Sequence, residues 1–385
     1  MKLSWFVAVA TTCAFALTGC ASIQRTAGRG SADIYKRIPY RVSGNHRVVD
    51  VFYATTRTPE KGSDKTLPFG SGLSDKTSLG RMSLKIDPSV KMGKMLPAKL
   101  KARDELGVET ANAMDDETFI KDLAAAVAAS PHKSLLVVVF GYNDDFETNA
   151  IMAGWFSYML DVNTPVLLFD WPGDQAISIG GYLKARRYAE ASGPALGDLL
   201  VKIEREINPD KLWVKGSSLG CEVVCDAFEE MYKHADMADE DAEVTEVFLA
   251  APDVDDDDFE GKFKDHISAL TAKLTTYVSS DDDALLMSGM ITGKKKFGRQ
   301  KKEALPESEE AKDLLYLKSQ YPDKVTVVDV TPINVSSFHH GYYLECPEFF
   351  DDLYSRVHGE GSGTNRRLYL LKYKGDVDYW VMQKE

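Results

Sequence analysis

The chain has 385 residues, 44% of them hydrophobic and 27% charged, which are the fractions of a globular protein and exclude a disordered or fibrous one. A net charge of −13 argues against nucleic acid as a partner, because a phosphate backbone demands a positive surface. Five cysteines over this length exclude a disulfide scaffold, and after residue 20 no apolar run approaches the ~20 residues of a membrane span.

Residues 1–20 read MKLSWFVAVATTCAFALTGC: one Lys, an apolar core, then Leu17-Thr18-Gly19-Cys20. A positive start and a short apolar stretch read as a secretory signal. Its end resembles the bacterial lipobox, in which the Cys is acylated and becomes the new N-terminus. That resemblance implies a signal peptide over 1–19, lipid on Cys20 and stable attachment to a membrane. Ala21 and Ser22 follow with no Asp at the sorting position, which favours the outer membrane of a Gram-negative envelope. Residues 20–45, small, polar and basic from 23 onward, read as a tether.

The body alternates strands and helices. Arg47 to Thr55 is β-branched and aromatic and predicts a strand; residues 58–78 hold Gly, Pro, Ser, Asp and Lys and predict a loop; Met82 to Ile86 predicts a second strand. A helix is expected over 116–129, a buried strand over Leu135 to Phe140 and a helix over 146–160. Val166 to Phe169 predicts a strand, and residues 182–206 a long helix interrupted at Gly193-Pro194. Further strands are expected at 211–215, 244–251, 274–278 and 325–330, with helices at 219–233 and 347–357. Continuous apolar strands alternating with helices predict an α/β fold with a mostly parallel central sheet and helices on both faces. The domain expected to carry function spans 46–358. Residues 359–385 form a C-terminal extension in which Arg366 to Met382 predicts a β-hairpin.

Gly216-Ser217-Ser218-Leu219-Gly220 fits G-x-S-x-G between a buried strand and an amphipathic helix. That context holds a Ser on a sharp, strained turn and aims the following N–H at a developing oxyanion. A nucleophilic Ser needs a base, since a free hydroxyl attacks poorly. His339 and His340 sit in a loop after a late strand, where such a fold places the base. Two places qualify for the acid: Asp281-Asp282-Asp283 after one strand, and Asp253 after another.

Seven segments stand out in order: Val51 to Arg57, Phe140-Gly141-Tyr142-Asn143, Phe169-Asp170-Trp171-Pro172-Gly173, the elbow itself, Ala251-Pro252-Asp253, Tyr277 to Leu285, and His340-Gly341-Tyr342-Tyr343. Together they resemble a bacterial family of unknown function with an α/β-hydrolase fold, esterase/lipase-like and often marked by His-Gly-Tyr-Asn. The resemblance covers about residues 47–357, in order. It implies Ser218 as nucleophile, Asp282 as acid and His340 as base, with Asp253 and His339 as reserves. Backbone N–H groups of Leu219 and of the Gly141-Tyr142 segment would form the oxyanion hole. The family has His where this chain has Phe140, and usually His where it has Ser217; the strands carrying the two are expected to be neighbours.

Cys221 and Cys225, one helical turn apart, read as buried small apolar residues, and Cys346 as a candidate neighbour of Cys221. Lys294-Lys295-Lys296 with Arg299, Lys301 and Lys302 reads first as a solvated basic stretch and second as a contact for anionic lipid or substrate. Asp253 to Asp258 reads as acid at a helix start, not as a metal loop. The sequence therefore predicts a lipid-anchored serine hydrolase cleaving a carboxylic ester, from a small molecule or a lipid, with neither metal nor cofactor. The alternative is a non-catalytic envelope binding or assembly protein on the same fold.

Overall fold

The computed structural model describes residues 41–60, 62–63, 65–88, 90, 106–130, 132–160, 162–234, 236–237, 243–299, 324–358, 368–372 and 378–384. Cys20, its signal and most of the expected tether lie outside them. So do Lys301 and Lys302.

A twelve-stranded sheet organises the chain. Its strands are β1 (Arg41–Ser43), β2 (His46–Pro59), β3 (Phe69–Ile86), β4 (Leu106–Met114), β5 (Ser134–Val139), β6 (Val166–Asp170), β7 (Lys211–Ser217), β8 (Glu246–Ala250), β9 (Leu274–Val278), β10 (Val325–Asp329), β11 (Leu368–Lys372) and β12 (Asp378–Met382). They lie in the order β11-β12-β10-β9-β8-β7-β5-β6-β2-β3-β4, with β1 on β2. Every pairing from β2 to β12 along this path is parallel, while β1, β3, β4 and β11 join antiparallel. Helices between the strands are α1 (Asp116–Ala129), α2 (Phe146–Leu160), α3 (Ile179–Glu206), α4 (Gly220–Tyr232), α5 (Lys264–Leu270), α6 (Asp283–Thr292) and α7 (Pro347–Val357).

The six residues of β5 are all buried, and they alternate between two cores. Leu135, Val137 and Val139 pack with α1, α3, α4 and α5. Leu136 and Val138 pack with α2 and α7. Cover on both faces is why the central strands read as unbroken apolar runs. Consecutive strands β6 and β7 flank β5 on opposite sides, so the chain order reverses there. Loops leaving the carboxyl ends of strands at such a reversal diverge and open a crevice.

The structure corrects several expectations. Residues 58–78 are largely strand, because β2 runs to Pro59 and β3 starts at Phe69. That ribbon is held by backbone pairing, Arg57 with Leu73 and Pro59 with Phe69, and its half-exposed residues carry no apolar signal. β4, whose residues are mostly exposed or half-exposed, was invisible for the same reason. α3 runs unbroken through Pro194. Gly193 and Gly197 bring it so close to α4 that a Cβ would lie 2.2 Å from Asp226 Cβ or 2.7 Å from the Ala227 carbonyl, and this packing carries the helix past one lost hydrogen bond. Arg41–Ser43, expected in the tether, pair with β2. The C-terminal hairpin adds to the main sheet through β12 on β10.

Candidate active site

Ser218 stands between β7 and α4 with φ at +53°, a left-handed backbone that a non-glycine residue holds only under constraint. The constraint is local. Its N–H donates to the Ala250 carbonyl on β8 (2.9 Å), and its own carbonyl accepts from Cys221 and Asp253 N–H groups. Gly220 lets the start of α4 reach the end of β5, since a Cβ there would lie 2.4 Å from the Phe140 carbonyl oxygen. A Cβ on Gly141 would lie 2.7 Å from Ser218 Cβ and 3.1 Å from its Oγ. The glycine thus leaves open the space beside the hydroxyl. Among the described residues, neither the Leu219 nor the Tyr142 N–H donates to a backbone acceptor. No hydrogen bond within the described residues engages the Ser218 hydroxyl.

His340 Nδ1 lies 2.7 Å from Asp282 Oδ2. Asp282 is fully buried at the N-cap of α6, where Oδ1 accepts from the Leu285 N–H at 2.9 Å. Arg299 Nε donates to the Asp282 carbonyl at 3.0 Å. Burial disfavours the charged form of His340, but the Asp282 carboxylate and its hydrogen bond outweigh that and hold the pKa above the ordinary imidazole value. Phe338 and His339 both have positive φ in the turn that delivers His340. Buried Asn334 fixes that turn to the loop after β9, donating from Nδ2 to Ser279 Oγ (3.0 Å) and to the His339 carbonyl (2.5 Å). The Tyr342 hydroxyl donates to the Tyr277 carbonyl (2.9 Å) and accepts from the Ala251 N–H (2.6 Å), tying the same turn to β8 and β9.

Ser218 and His340 open onto one crevice with two lobes. The larger lobe, about 400 Å³, is walled mainly by Ile177, Ile179, Leu285, Met287 and Ile291 with Tyr142 and Tyr182. The smaller, about 220 Å³, lies between Gly141, Asn143, Phe338 and Tyr343. Ser218, His340, Tyr142 and Ala284 belong to both.

The two reserve residues stand apart from this pairing. Asp253 lines the larger lobe but is engaged by Tyr182 and Ser288 hydroxyls and by Lys296 Nζ at 3.0 Å. His339 is exposed, with Nδ1 3.3 Å from Asp283. Lys296, read from sequence as solvated, is 3% exposed and clamps Asp253 and Asp255. Asp255 also takes half-buried Arg186 and exposed Lys294, so this acid pairs three cations, of which Lys296 is buried, in addition to preceding a short helix, Asp256–Asp258.

The strands that lead to Phe140 and Ser217, β5 and β7, pair as expected, and the Ser217 hydroxyl donates to the Val139 carbonyl at 3.4 Å. The Phe140 ring lies under Lys215 Nζ at 5.0 Å, with Phe156 at 5.1 Å and Tyr343 at 4.6 Å completing a cage. Lys215 is fully buried, its Nζ has no hydrogen-bond partner among the described residues, and burial pushes its pKa down to about 7 against the opposing effect of Cys221. Sequence reading missed Asn334 and Lys215, and quoted Tyr342 only as part of a motif without its tying role; each owes its place to contacts between distant segments. Cys221, Cys225 and Cys346 are buried free thiols, so no bridge joins Cys346 to Cys221. Asp198, Glu230 and His234 bring ligand atoms within 4.8 Å of one another, away from the crevice.

A parallel sheet with a strained strand-to-helix serine turn at its reversal point defines an α/β-hydrolase fold. The chain belongs to the family described as alpha/beta hydrolases of unknown function (DUF900), which matches residues 115–356. No curated protein matches it. Similar solved structures include an uncharacterized protein from Bacillus cereus ATCC 10987 (14% identity, 60% of this chain and 59% of that one, TM-score 0.35). The chain therefore spans less than two thirds of the length of that protein. A cold-adapted esterase from an Arctic intertidal metagenomic library in a PEG-bound complex is 12% identical over 73% of this chain and 96% of that one, TM-score 0.31. Esterase B from Lactobacillus rhamnosis, with a C4-C4 SN3 tributyrin phosphonate, is 12% identical over 90% and 99%, TM-score 0.34.

Proposed function

We propose that this protein is a serine hydrolase that cleaves a carboxylic ester at the bacterial cell envelope, held to the outer membrane by lipid on Cys20. The observation that carries the reading is the Asp282–His340 hydrogen bond of 2.7 Å, with His340 and Ser218 on one crevice. Asp282 accepts from the Nδ1–H and so leaves Nε2 as the base. Nε2 takes the Ser218 proton as Oγ attacks the ester carbonyl. The Leu219 and Tyr142 N–H groups receive the oxyanion of the tetrahedral intermediate. Collapse breaks the bond to the leaving alcohol, which receives the proton from His340. Water, deprotonated by His340, then attacks the acyl-serine carbonyl, and the Ser218 oxygen leaves with that proton. The sum is ester plus water to acid plus alcohol. The free Ser218 hydroxyl suits this sequence, because such contacts often tighten only when substrate binds.

Hydrolysis of p-nitrophenyl butyrate tests the reaction. Turnover by the unaltered chain and none by Ser218→Ala is expected; equal rates from both would refute the serine mechanism. Cys20→Ser tests the anchor, since it is expected to move the protein from the membrane to the soluble fraction.

A further inference from the structure

The crevice is surrounded by large apolar side chains that face solvent. Ile177 is 84% exposed, Ile179 63%, Met287 57% and Phe338 71%, and all four also wall the lobes that hold Ser218 and His340. Met290, one helical turn beyond Met287 on α6, is 72% exposed, and Leu183, one turn beyond Ile179 on α3, is 38% exposed. Three separate segments thus present apolar groups around one opening. Scattered apolar residues on a surface mean little, but a contiguous ring at the mouth of a cavity marks a docking face.

Charge selects the occupant. On α3, Lys184 and Arg187 are exposed beside Leu183, and neither pairs with a carboxylate among the described residues; Lys184 only covers the Tyr188 ring. In a chain of net charge −13, two unneutralised cations bordering an apolar ring suit an anionic lipid surface. A second copy docked through the same face by two-fold symmetry would set these cations against their own equivalents. Chain length agrees: the segment between Cys20 and β1 extends at most about 70 Å, so an anchored domain stays within reach of the bilayer.

We infer that the Ile177–Ile179–Met287–Met290–Phe338 ring docks on an anionic lipid bilayer and that the site draws its ester from that bilayer, an acyl chain entering the larger lobe. This rests on the ester-hydrolase reading for the chemistry and on the exposed ring for the docking.

The test uses the full chain with an environment-sensitive thiol dye at Met290→Cys, and for comparison at Asp198→Cys, an exposed position at the far part of α3. Vesicles of phosphatidylethanolamine and phosphatidylglycerol carry brominated acyl chains as quenchers, and the unsubstituted chain supplies the labelling background. Loss of most emission from the dye at 290, with emission at 198 retained, is the expected result. Equal quenching at both positions, or at neither, overturns the docking face. Burial of the dye at 290 without lipid, rising with protein concentration, overturns it in favour of a second copy. Hydrolysis of p-nitrophenyl butyrate in solution is measured on the same proteins. Hydrolysis without quenching retains the hydrolase and refutes the docking; quenching without hydrolysis retains the surface and refutes the ester substrate.

Discussion

Asp282 uses its two oxygens for different purposes, Oδ2 on His340 and Oδ1 on the first turn of α6. Asp282→Asn keeps an acceptor for the Leu285 N–H but presents the wrong partner to His340. The helix is expected to stay capped and kcat to fall by about 10⁴, the scale of losing the correct imidazole tautomer. The pH profile carries a second sign. Because Asp282 raises the His340 pKa, the acid limb of kcat/KM should have its midpoint above the ordinary imidazole value of about 6.5 and move lower in any residual activity of Asp282→Asn. A kinetic profile from pH 5 to 9 checks both. Lys215 belongs to stability. Its buried amine has no hydrogen-bond partner among the described residues, so Lys215→Met should stabilise by about 1–3 kcal/mol in denaturant titration. With a folded pKa near 7, below the unfolded value, the cost of charging is complete below pH 7 and is relieved as pH rises. The gain should therefore shrink toward pH 10.

At the scale of elements, the crevice is held by ties between loops. Arg57 at the end of β2 is fully buried; it pairs with Asp170 on β6 at 2.5 Å, with Asp174, and with the Asp144 carbonyl in the loop after β5. Arg57→Ala would strip buried Asp170 of its counter-ion, leaving Thr55 and Asn149 as its donors, and a loss of about 3–5 kcal/mol is expected by chemical denaturation. The α3–α4 interface holds a buried carboxyl group, Glu222. Burial, with Asp226 nearby and Arg186 opposing, pushes Glu222 up to about 8, so the folded protein holds a proton that the unfolded chain releases. Its stabilising effect is complete below the usual carboxyl range and is lost as pH rises through 8. The Tm advantage of Glu222→Gln should accordingly grow from pH 5 to pH 9. Helices over 116–129 and 347–357 were legible in sequence because apolar spacing marks a face, and 146–160 because its apolar run is too long for a strand. α6 was not legible, since it follows an acidic run that reads as loop, yet it is Asp282 that caps it.

For the molecule as a whole, the parallel core was readable because burial on both faces leaves apolar strands. The C-terminal edge was readable as a hairpin, and β3 only over Met82 to Ile86; the rest of β3, β4 and the basic segment at 294–299 were not, because they are placed by backbone pairing and ion pairs across distant chain. The same limit applied at the site. Motif alone left the acid open, and the resemblance named Asp282 with Asp253 in reserve; what the sequence could not show is that Lys296 and Tyr182 occupy Asp253 while Asp282 meets His340. The Phe140 position also makes sense only in the fold, as one wall of the cage around Lys215.

The most direct measurement is covalent labelling of the full chain by a fluorophosphonate, with the adduct mapped by mass spectrometry. An adduct on Ser218, absent in Ser218→Ala and strongly reduced in His340→Ala, is the predicted result. A folded, unlabelled protein, or an adduct elsewhere, would contradict an activated serine at the elbow and leave the fold as a binding module.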